Sequence, residues 1–89
     1  MAHTFEELVE MQRTVDAAAV QAEQLRSQYG PPGARSWSAR QTRTYETAWR
    51  AWRDLARDMQ AAVAEYAADH DEARQDLESR VRTAAGSPE

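Results

Sequence analysis

Apolar side chains recur along the first third of the chain at alternating steps of three and four: Leu8, Met11, Val15, Ala18, Ala22, Leu25 and Tyr29. At about 100° per residue these positions share one stripe of an α-helix, whereas a strand would alternate every second residue. Thr4 followed by Glu7 has the spacing of a capping box, in which a hydroxyl and a carboxylate each satisfy a backbone N–H left free by the first turn. The helix therefore begins at residue 5. It stops at Tyr29, because Gly30 can take a left-handed conformation while Pro31 and Pro32 cannot continue a helix.

A second capping box, Ser38 with Gln41, restarts the chain after a turn over 30–37, with Trp37 just outside where it can pack back. The next stripe is Tyr45, Trp49, Trp52, Ala56, Met59, Val63, Tyr66, His70, Ala73, Leu77 and Val81, widened by Ala48, Leu55 and Ala62. No Gly or Pro interrupts it before Gly86. Read as continuous over 39–84, this helix is about 69 Å long, against about 38 Å for the first. The expectation is an all-α fold, an antiparallel two-helix hairpin filling a single domain over 1–85, with a disordered tail over 86–89.

The mismatch in length has a consequence. A first helix laid back from the turn covers the second only to about Val63–Tyr66, leaving His70, Ala73, Leu77 and Val81 without an intrachain partner. A homodimer, two hairpins self-associating into a helical bundle, would cover them. So would a break near residue 70, where Asp69 and Glu72 have capping-box spacing, giving a short third helix. Fraying of the tip is the remaining option.

Charge adds direction. The chain carries 11 basic residues against 15 acidic, a net charge of −4, and every basic residue is arginine. Residues 1–33 and 58–89 are acidic on balance and residues 34–57 are basic, so the long helix is cationic at its N-terminal end and anionic at its C-terminal end. The helix macrodipole prefers the reverse, at a few tenths of a kcal/mol per charge. Local helix stability did not select this order, and an antiparallel partner would pair the opposite halves. Arg43, Arg50 and Arg57 stack on the face away from the apolar stripe, with Arg40 and Arg53 to either side and Asp54 in reach of Arg50 and Arg53. Such a ridge suits phosphates or an acidic protein.

Candidate chemistry is sparse. There are no cysteines and two histidines: His3, in the fraying terminus, and His70, which has no carboxylate or second histidine at metal-ligand spacing on its helix face. His70 lies on the stripe, where protonation could loosen whatever packs there. No serine or threonine has a neighbouring base, and Gly-Pro-Pro-Gly is a poor phosphate cradle because its prolines donate no N–H. No apolar run approaches the roughly 18 residues that span a bilayer, and no leader-like segment opens the chain. We expect a cytoplasmic, non-enzymatic protein without cofactor, metal or small-molecule substrate.

The stretch from Gln41 to Asp54 resembles the first helix of the core-binding domain of tyrosine recombinases, a resemblance that implies DNA contact. Trp37-Ser38-Ala39 beside the turn is similar to WXG100-type helical hairpins, with Ala39 in place of their glycine and His70, not an acidic residue, four positions after Tyr66. In overall style the chain resembles small helical-hairpin proteins of high-GC bacteria, which implies no particular activity.

The expected function is that of a helical interaction or assembly module, partnered by a second copy or another helical protein. Its interface would be Trp49, Trp52, Met59, Tyr66, His70, Leu77 and Val81. The alternative is a small nucleic-acid-binding accessory protein that uses Arg40, Arg43, Arg50, Arg53 and Arg57.

Overall fold

A computed structural model of the chain describes residues 3–30 and 37–86; the expected Pro31–Pro32 turn and the tail beyond Gly86 lie outside the described residues. Within them the chain is all-helical, with α1 (Phe5–Tyr29), α2 (Ala39–Asp69) and α3 (Arg74–Gly86) packed together. Both capping boxes form. Thr4 Oγ1 accepts from the Glu7 N–H at 3.1 Å, and Glu7 Oε1 accepts from the Thr4 N–H at 2.8 Å. Ser38 and Gln41 repeat the exchange at 3.0 and 2.9 Å. Gly30 closes α1 at φ 82° and ψ 167°, a conformation that suits glycine almost alone, and its N–H donates to Arg26 C=O at 3.0 Å.

The expectation of one helix over 39–84 is corrected: α2 ends at Asp69, and the chain turns back into α3. The Glu72 N–H donates to Ala67 C=O at 2.9 Å and the Asp71 N–H to Ala68 C=O at 3.4 Å, with Asp71 in the left-handed region at φ 51°. This is a Schellman closure with aspartate where glycine is usual. Asp69 does not cap α3, whose first helical bond runs from the Leu77 N–H to Ala73 C=O at 3.1 Å.

Burial explains why the turn forms. Leu77 is 0% exposed and Val81 1%. Burying each is worth about 1.5–3 kcal/mol, and a non-glycine residue in the left-handed region costs about 1–2 kcal/mol. The return wins. The break also sets Asp71, Glu72 and Asp76 around the start of α3, the helix end that favours negative charge.

Leu77 and Val81 join Leu8, Val15, Met59, Ala62, Val63 and Ala67 in one core, flanked by half-buried Phe5, Met11, Trp52, Leu55, Ala56 and Tyr66. Met11 shares a shallow depression with Ala61, Ala62 and Glu65, and Val15 shares another with Met59, Val63, Glu78 and Val81. On α1 the row Phe5, Val9, Arg13 meets α3. The Arg80 guanidinium lies 4.8 Å from the centre of the Phe5 ring, Arg13 Nη2 donates to Ala84 C=O at 3.5 Å, and Val9 between them is buried. Arg80 also donates to Glu72, and that bond holds its guanidinium above the ordinary arginine value.

The radius of gyration is 16.1 Å, with extents of 50 × 27 × 18 Å. A compact chain of this length has a radius of gyration of about 12 Å. The excess arises because α3 is short and ends beside the Arg13 turn of α1. Below that level three helices form a base; above it α1 and α2 continue alone as a stalk.

Leu77→Ala should therefore cost about 2–5 kcal/mol in urea denaturation, the range for truncating a buried leucine. A cost below about 0.5 kcal/mol, typical of an exposed position, would contradict the packing of α3.

Candidate interaction surface

The stalk comprises α1 from about Ala18 and α2 up to about Leu55. At its far end Trp37 sits between the two helices, edge-on to Tyr29 and to Tyr45, each at 5.3 Å between ring centroids and 76° between planes. Its indole Nε1–H donates to Gly30 C=O at 2.9 Å. The residue before the Ser38 cap thereby ties the end of α1 to the start of α2.

Between this clasp and the base, the stalk's apolar surface is incompletely covered. Val20 is 54% exposed and Trp49 41%, the exposed large hydrophobics among the described residues. Their positions follow from helix geometry. Trp49 stands 18 residues, about five full turns, before Ala67, so both point the same way from α2; Ala67 is 6% exposed. Val20 stands 11 residues, about three turns, after Val9 on α1, and Val9 is 8% exposed. The row containing Val9 is the one that meets α3. Val20 and Trp49 thus continue, above α3, the lines of residues that are covered in the base.

Trp49 packs at a tilt against Trp52, with 6.5 Å between ring centroids, and the Arg53 guanidinium lies 5.1 Å from the centre of its ring. Tyr45, Glu46, Trp49, Arg50 and Arg53 line an open depression. Behind it, Arg40, Arg43, Arg50 and Arg57 are exposed and have no ion-pair partner among the described residues. Asp54, within reach of Arg50 on spacing alone, lies 4.0 Å from Arg53 instead. With Arg57 at its lower edge counted, the described stalk has six arginines against Glu23, Glu46 and Asp54; the described base has eleven carboxylates against four arginines. One end of the molecule is cationic and the other anionic.

The residues expected to form an interface do not remain together. Met59, Leu77 and Val81 are buried in the chain's own core, and Trp52 and Tyr66 are half-buried against it. His70 caps α2 in the exposed turn, its ring stacked on Tyr66 at 3.9 Å and its Nδ1 3.0 Å from Tyr66 C=O. Of that set only Trp49 and His70 stay exposed, His70 in the turn and Trp49 on the stalk. The reason is α3: once it folds back, the tip that wanted a partner is covered from within. Val9, Val20 and Ala67 escaped the sequence reading because they lie beside the principal stripes. The eleven-residue spacing of Val9 and Val20 was the available sign of a second apolar line on α1.

Among the described residues no group of three His, Cys, Asp or Glu could hold a metal ion, and no helix is long and apolar enough to cross a membrane. No protein-family model, curated protein or solved structure matches the chain.

Trp37→Phe should keep the edge-on aromatic contacts and lose the bond to Gly30, lowering unfolding free energy by about 1 kcal/mol. Trp37→Ala should lose both and cost about 2–4 kcal/mol. Equal stabilities for the two variants would contradict the clasp.

Proposed function

We propose that the protein is a non-enzymatic helical interaction module in which α1 and α2 form an antiparallel pair, and that its stalk docks a helix of another protein with acidic flanks. The observation that carries this reading is the exposure of Trp49 on a line of α2 that is buried lower down, at Ala67. A large aromatic held rigidly by Trp52 and Arg53 is the kind of residue that dominates helical interfaces. The incoming helix would lie in the groove that α3 leaves vacant and complete the three-helix arrangement along the full length of the molecule.

Charge supports an acidic partner. The arginines beside Trp49 would steer it at long range and pair with its flanks at the rim, where ion pairs set on-rate and selectivity more than affinity. They also stand toward the end of α2 that the macrodipole makes unfavourable for cations. A second copy would bring an equally cationic stalk to the same groove, so like charges oppose stalk-to-stalk pairing. The second reading, nucleic-acid contact, is favoured by a separate observation: Arg40, Arg43, Arg50 and Arg57 all face solvent without an ion-pair partner among the described residues.

The two readings separate by variant. An amphipathic peptide helix with a leucine stripe and glutamate flanks should bind with a blue shift of tryptophan emission. Trp49→Ala should weaken that binding at least tenfold while moving the unfolding midpoint little. If a short DNA duplex binds at low salt instead, and Arg43→Gln with Arg50→Gln abolishes binding while Trp49→Ala does not, the nucleic-acid reading replaces this one.

A further inference from the structure

The turn that returns α3 is short, strained and free of helix-breaking residues. Asp69, His70, Asp71, Glu72 and Ala73 separate the Ala68 turn from α3, with Asp71 at φ 51° and neither glycine nor proline among them. The apolar spacing runs through it without a phase slip, as Val63, Tyr66, His70, Ala73, Leu77 and Val81 still fall at steps of three and four. The spacing favours one continuous helix, and the turn is favoured chiefly by the burial of Leu77 and Val81, with smaller help from the carboxylates at the start of α3 and the Arg80–Glu72 bond. That burial does not require the two segments to belong to the same chain.

From this conflict we infer that the chain exchanges α3 between two copies: residues 70–73 straighten, α2 and α3 become one helix, and each α3 occupies the seat of its counterpart on the other molecule. The core contacts of the base are kept, including Leu77 and Val81 in the core, Arg80 over Phe5 and Arg13 with Ala84, while the Arg80–Glu72 bond across the turn is given up. Two left-handed aspartates are released and the helix bonds across residues 70–73 are gained. Short hinge loops under strain invite this kind of exchange. The two bases, each acidic, come together end to end, so the exchanged dimer should become more populated as salt screens them. The stalks stay apart, and the docking face at Trp49 is not consumed.

Asp71 decides the balance, and two substitutions should move it in opposite directions. Asp71→Gly relieves the left-handed strain and weakens the continuous helix; Asp71→Ala increases the strain and strengthens the helix. Because two hinges straighten together, the dimerisation constants of the alanine and glycine variants should differ by about a thousandfold. Each protein is refolded from denaturant at high concentration and its mass read by light scattering. The dimer fraction should fall in the order alanine variant, natural chain, glycine variant, and rise with salt.

The absence of cysteine from the sequence permits a direct distance measurement. Arg40→Cys and Arg82→Cys are introduced together, spin-labelled and diluted into unlabelled chain so that only intrachain distances are read. In the folded-back chain Arg82 lines one depression with Ala56 and Met59, which lie about 24–29 Å along α2 from Arg40, so the intrachain distance should be about 25–35 Å, apart from the length of the labels. The exchanged chain should place the two positions about 63 Å apart, at 1.5 Å per residue along one helix. Dimers that keep the short distance would overturn the exchange. So would equal dimer fractions for the alanine and glycine variants, or a wholly monomeric alanine variant. None of these results bears on the binding at Trp49, which is read with the peptide.

Discussion

The insertion of Leu77 and Val81 between α1 and α2 is the contact on which the architecture depends. Both side chains are almost completely withdrawn from water, and they reach that position only because the chain reverses after Asp69. Two such burials outweigh the local preference of a sequence that offers no breaker at the reversal. Once made, the contact completes one core near the acidic end of the molecule and fixes where covered surface stops.

That stopping point gives the protein its two unlike halves. The base has three helices, a closed core and an excess of carboxylates; the stalk has two helices, an aromatic clasp at its far end and an excess of arginines. Nothing in the electrostatics of isolated helices asks for cations toward the N-terminal end of α2. They stand beside the exposed indole of Trp49, the juxtaposition on which the proposed docking of an acidic helix rests. The same short α3 thus closes the core of the base and leaves Val20 and Trp49 exposed on the stalk.

Much of the local structure was legible. Thr4 with Glu7 and Ser38 with Gln41 marked both helix starts, and Gly30 marked the end of α1, because caps are decided by a few residues acting at short range. The inward stripes were readable for the same reason. The reversal at Asp69–Glu72 was readable only as an alternative, since it is driven by a distant core and not by its own residues. With the reversal left open, the expected interface ran from Trp49 to Val81; Leu77 and Val81 are buried by the reversal, Trp49 stays exposed, and Val20 lay outside the expected set. Ala67 shows why: a small residue on the flank of a stripe looks neutral until the core closes over it.

Native-state hydrogen exchange tests the account most directly, because it reports whether α3 opens alone or only with the whole domain. The amides of Leu77 and Val81 should exchange with the same protection as those of Met59 and Val63, since all four side chains belong to one core. Rapid exchange throughout α3, with α2 still protected, would contradict it.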